Sequence, residues 1–117
     1  MVGGWYVQPD CNLASPETYR RHNEFGGAYF REKFGVKVRT GYNVDSFGHG
    51  AFLPDFYREA GIINYCMMRP SPQEKTLPGE LFRWRSPNGA ELLAARIFEC
   101  DSSSPASLPG HLGRVIA

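Results

Sequence analysis

A helical signal marked at both ends and followed at once by a strand signal restricts this chain more than any other stretch of its 117 residues. Ser15-Pro16-Glu17 supplies an N-cap, a first-turn proline and an early acid, and Gly35 stands where a left-handed cap would close a helix running to Phe34. Tyr19, Phe25, Tyr29, Phe30 and Phe34 give that helix an aromatic stripe at mixed three- and four-residue spacing. Val36, Val38, Thr40, Tyr42 and Val44 then alternate as strand residues do. Leu53, Phe56, Tyr57 and Ala60 repeat as a second, shorter helix opened by Pro54 and closed by Gly61. The nearly continuous apolar run from Ile62 to Met68 reads as a strand covered on both faces. With a short strand over Gly4–Gln8, the order strand, helix, strand, helix, strand predicts two crossover units and an α/β fold built on parallel strands. After a proline-rich loop, Leu81–Trp84 and Leu92–Ile97 flank Ser86-Pro87-Asn88-Gly89, the signature of a C-terminal β-hairpin. Such a sheet is thin and has open edges, so the chain reads as a piece of a larger α/β barrel or sheet.

The position that stands out chemically is Asp45, which follows the second strand and lies in Gly41-Tyr42-Asn43-Val44-Asp45-Ser46-Phe47-Gly48-His49-Gly50, too glycine-rich to pack as core. Carboxylates aimed off the C-terminal ends of buried strands are a frequent enzyme arrangement. Asp45 lies several residues before the second helix, too early to cap it. His49 has three readings: it orients Asp45, ligates metal, or hydrogen-bonds the backbone, the last being the commonest for a lone histidine. Arg69 ends the third strand on the same edge as Asp45, where it either grips the carboxylate and substrate oxygens or simply reaches water. Asp10 shares that edge, with a turn-forming role at least as probable as a chemical one. Trp5 is expected in the core; Phe47, in a loop, is a candidate to stack on a sugar. Glu24, Glu32 and Glu59, among arginines and lysines, read as solvated helix faces. There is no G-x-S-x-G, G-x-x-x-x-G-K-[ST], G-x-G-x-x-G or H-E-x-x-H pattern.

A net charge of +1 offers no electrostatic case for nucleic acid or an acidic membrane as partner. Cys11, Cys66 and Cys100 are odd in number and form no C-x-x-C pair, so the chain is expected in a reducing, cytoplasmic setting. It shows no leader pattern and no apolar stretch near the roughly 18 residues of a membrane span. Residues 1–98 are expected to form the folded unit and 99–117, rich in serine and proline, an irregular or disordered tail.

Gly3-Gly4-Trp5-Tyr6-Val7-Gln8-Pro9-Asp10-Cys11-Asn12, Gly41 to His49 and Met68-Arg69-Pro70, in that order, resemble the glycoside hydrolase family 38 α-mannosidases, particularly the bacterial type. The resemblance covers about residues 3–98. It implies part of a seven-stranded α/β barrel that binds one zinc ion and hydrolyses α-mannosides, in mannose-containing oligosaccharides or glycosides, with retention. By the same resemblance Asp45 is the nucleophile and a zinc ligand, Phe47 flanks the sugar and Arg69 sits beside the nucleophile. A retaining glycosidase needs such a carboxylate and an acid about 5–5.5 Å away. Zinc would hold sugar hydroxyls as template and Lewis acid. The family's H-x-D-x-x-W segment, with two zinc ligands, would precede this chain, and the general acid and last zinc histidine would follow it, leaving one zinc ligand of four here. The isolated chain is therefore expected to be inactive and to hold zinc weakly. The competing reading is a non-catalytic α/β carbohydrate-binding or regulatory remnant in which Asp45 is structural.

Overall fold

The structure is a computed structural model that describes residues 1–97. The expected boundary after residue 98, Cys100 and the tail 99–117 lie outside the described residues. Helix α1 spans Pro16–Phe34, as its end signals require: Ser15 accepts a hydrogen bond from the Thr18 amide, and Gly35 caps the other end in the left-handed region at φ 65°. Strand β1 (Thr40–Tyr42), helix α2 (Leu53–Glu59), strand β2 (Asn64–Met67) and the hairpin strands β3 (Leu81–Arg85) and β4 (Glu91–Arg96) follow.

The four strands form one sheet in the order β1-β2-β4-β3. β1 pairs parallel with β2, β2 parallel with β4, and β3 antiparallel with β4. The hairpin turns as its Asn-Gly pair predicts, with the Ser86 amide bonded to the Ala90 carbonyl at 2.9 Å and Gly89 at φ 91°. Its second strand inserts beside β2, so the third parallel strand is β4 rather than one at the N-terminus.

Three expectations are corrected here. Gly4–Gln8 is not a strand: the segment makes one parallel bridge, Gly3 to Gly41, because Gly3 and Gly4 take φ of 127° and 95°, which breaks the extended run. Pairing on the second strand covers only Thr40–Tyr42, not Val36–Val44, and β2 alternates half-buried with buried residues rather than being covered on both faces. Of the aromatic stripe on α1, Tyr19 is the one buried member. Phe25, Tyr29 and Phe34 are about half exposed (51%, 52% and 53%), while the buried positions are Tyr19, Asn23 and Gly26. The backbone of Gly4–Tyr6 runs against α1 at Gly26, where a Cβ would collide with the Gly4 carbonyl oxygen, so the helix docks through its smallest residue.

The core lies between the sheet and the two helices and is largely aromatic. Trp5 stacks on Tyr57 with ring centroids 5.0 Å apart, Tyr19 stacks on Phe56 at 4.9 Å, and Leu53, Tyr65, Leu92 and Ala94 complete it. The Asn23 amide donates to the Phe56 carbonyl at 3.1 Å and ties α1 to α2. Trp5 is in the core as expected. None of the described helices is long and apolar enough to cross a membrane.

Candidate active site

Parallel pairing of β1 with β2 fixes the geometry of the site. The register pairs Tyr42 with Cys66, and continuing it three residues past the last pair brings Asp45 level with Arg69. Both side chains leave the C-terminal edge of the sheet together, and Arg69 Nε donates to Asp45 Oδ1 at 3.0 Å. The Asp45 side chain is 62% exposed and that of Arg69 35%, so the carboxylate faces open space with a cation fixed at one oxygen. Asp45 does not cap α2, whose N-cap is Phe52 and has no side-chain cap bond.

Phe47 is 74% exposed, and the Arg69 guanidinium lies over its ring at 4.5 Å from the centroid. His49 turns inward. Its Nε2 lies 2.8 Å from the Arg69 carbonyl oxygen and its Nδ1 2.9 Å from the Tyr65 hydroxyl, with the Tyr65 and Trp84 rings edge-on to it. Burial lowers the His49 pKa from its ordinary 6.5, opposed by the bond to the Arg69 carbonyl. The commonest reading of His49, a backbone hydrogen bond, is therefore the observed one. Residues 45, 47 and 49 thus all meet Arg69, through ion pair, ring face and backbone respectively.

A second set of contacts holds the loop from behind. Ser46 Oγ accepts from the Cys11 amide at 3.4 Å and donates to the Gly48 carbonyl at 2.9 Å. The fully buried Asn43 donates to Cys11 Sγ at 3.0 Å and to the Pro9 carbonyl at 3.5 Å. Burial raises the Cys11 pKa, so this thiol is a packed acceptor rather than a nucleophile. Gly48 is pressed against Asn12, where a Cβ would collide with the amide. Asp10 forms an Asx turn, accepting from the Asn12 amide at 3.0 Å.

Two openings flank this ridge. A cavity of ≈ 360 Å³ has Gln8, Pro9, Asp10, Asn43, Asp45 and Phe47 among its walls. A larger one, ≈ 600 Å³, lies on the other side, with Arg69, Phe47, Met67, Leu77, Phe82 and Trp84 among its walls. The structure brings together Asp45, Phe47 and Arg69, the three residues singled out in the sequence, and adds Tyr65, Trp84 and the Cys11–Asn43–Ser46 contacts, which were not singled out. Tyr65 was hidden inside an apolar run, and the burial of Asn43, two residues before Asp45, emerges only in the folded chain.

Among the described residues no three His, Cys, Asp or Glu side chains are grouped to hold a metal ion. Asp45 offers one exposed carboxylate, and both ring nitrogens of His49 face other partners. These residues by themselves do not fit a zinc site, which takes about three or four protein ligands.

Residues 1–108 match the glycosyl hydrolases family 38 N-terminal domain. The chain belongs to glycoside hydrolase family 38. It is 31% identical over 93 residues to an α-mannosidase of Saccharomyces cerevisiae, covering 79% of this chain and 9% of that protein. Over 93 residues it is 33% identical to α-mannosidase G of Dictyostelium discoideum, with the same coverage of 79% and 9%. α-Mannosidase F of that organism is 32% identical over 114 residues, covering 88% of this chain and 11% of the relative. The chain thus spans about a tenth of the length of these relatives.

Proposed function

We propose that this chain is the nucleophile-bearing part of a retaining family 38 α-mannosidase acting on mannose-containing glycans in the cytoplasm. One observation carries the reading: Asp45 leaves the sheet edge into open space while Arg69 fixes one of its oxygens at 3.0 Å. A nucleophilic carboxylate needs this combination of access and fixed orientation. Arg69 holds Oδ1, so Oδ2 is the oxygen that attacks the anomeric carbon. The glycosidic C–O bond breaks as the new C–O bond forms, and the leaving oxygen takes a proton from a general acid outside this chain. Water then hydrolyses the glycosyl-aspartate, which gives net retention. Phe47, exposed and backed by the Arg69 guanidinium, is the face against which the sugar stacks.

In the parent enzyme the four strands are part of a seven-stranded barrel, and Asp45 is one of four ligands to a zinc ion. The other three would come from flanking segments. The isolated chain accordingly turns over no mannoside. The test is trapping in the parent enzyme with a fluorinated mannosyl fluoride that accumulates the glycosyl-enzyme. The adduct mass is expected on the peptide containing Asp45, and Asp45→Asn is expected to lower kcat/KM by at least about 10³-fold. An adduct on another residue, or an active Asp45→Asn enzyme, refutes the assignment.

A further inference from the structure

Arg69 is held through its guanidinium by Asp45, and its main chain is held as well. Strand pairing runs out at the end of β2, where the Ile97 amide donates to the Met67 carbonyl at 2.8 Å. Two residues further on, the Arg69 carbonyl oxygen is met by His49 Nε2 at 2.8 Å. A carbonyl only accepts, so the His49 proton sits on Nε2. Nδ1 is then the acceptor and the Tyr65 hydroxyl, 2.9 Å away, the donor. Tyr65 is a core residue, 1% exposed, on β2 itself. Its hydroxyl therefore fixes the tautomer from the rigid side of the contact. The edge-on Tyr65 and Trp84 rings leave the imidazole little freedom to turn.

We infer that His49 is a positioning residue: set by Tyr65, it anchors the Arg69 main chain so that the guanidinium reaches Asp45 across the face of Phe47. Three alternate residues of one loop then locate one arginine at three points, and the carboxylate orientation depends on a histidine that is not bonded to it. The inference rests on the mannosidase reading only for its kinetic consequence.

The test is NMR of the 117-residue chain. In the wild type the His49 ring is expected as the Nε2–H tautomer, and Arg69 Nε–H is expected to exchange with solvent about tenfold or more slowly than that of the exposed Arg58. His49→Leu should bring Arg69 to the Arg58 rate. His49→Gln, whose amide N–H falls near Nε2, should restore the protection, and Tyr65→Phe should weaken it and mix the tautomers. An Nδ1–H tautomer, an unprotected Arg69 in the wild type, or undiminished protection in His49→Leu overturns the inference. Should His49→Leu lose its dispersed amide spectrum, Tyr65→Phe decides, since it removes a single oxygen. In the parent enzyme, His49→Leu should lower kcat by about 10- to 100-fold, KM changing far less, with His49→Gln recovering most of the loss. Failure of the mannosidase reading is seen separately, as turnover that survives Asp45→Asn.

Discussion

The two ends of the same sheet-and-helix unit use aromatic side chains in opposite ways. Under α1 and α2, Trp5, Tyr19, Phe56 and Tyr57 stack on one another at 4.9–5.7 Å and are almost wholly excluded from solvent. At the C-terminal edge, Phe47 is exposed and its ring faces a guanidinium instead of another ring. The core is held by buried area and close packing, which contribute stability without specifying chemistry. The edge is held by a few directional contacts converging on Arg69, which contribute little to stability and fix the orientation of one carboxylate. Substitutions in the two places should therefore separate: core variants lose the fold, edge variants keep it and lose the site.

The largest stability loss is expected at Tyr57, which is fully buried, stacks on Trp5 and lies against Gly41. Tyr57→Ala should cost about 3–5 kcal/mol, read as a lower denaturant midpoint. Next comes Gly26→Ala, where the added methyl must push α1 away from the Gly4 carbonyl at a cost of about 1–3 kcal/mol. Phe34→Ser, on the half-exposed outer face of α1, should stay within about 0.5 kcal/mol of wild type. A Phe34→Ser loss as large as that at Gly26 would show that the outer aromatics are part of the core, and the contrast drawn above would fail.

What could be read beforehand follows the same division. Helix ends and the hairpin turn are local, written in Ser15, Pro16, Gly35, Asn88 and Gly89, and the folded chain obeys them. That Asp45 and Arg69 share one edge was legible because each is a charged residue closing a strand signal, and Phe47 stood out as an aromatic in a glycine-rich loop. The docking face of α1 was not legible, because aromatic spacing predicts burial only when the partner surface admits large side chains, and here backbone meets backbone at Gly26. Nor was the insertion of β4 beside β2, a pairing between strands far apart in sequence that no local signal encodes. The partner of His49 needed that sheet to exist before the Arg69 carbonyl had a place.

The smallest effect is the most discriminating, because it reads the edge through stability. Burial lowers the pKa of His49 below its ordinary 6.5, and the bond to the Arg69 carbonyl only partly opposes this. Between the folded value and the unfolded one, the unfolded chain binds more protons, so stability must rise with pH in that window. The contribution is intact above about pH 6.5 and is lost as pH falls through the lower folded value. His22 is lowered by burial as well, so the wild-type drop between about pH 7 and 5 contains both imidazoles. Tyr57 and Tyr65, raised well above 10 by burial, do not titrate there. Denaturant midpoints measured across that range should fall for the wild type and fall less for His49→Gln. Tyr57→Ala should be lower throughout with an unchanged slope against pH. If His49→Gln follows the wild-type slope and His22→Gln removes it, the titrating group is on α1, and the edge has no part in the acid response.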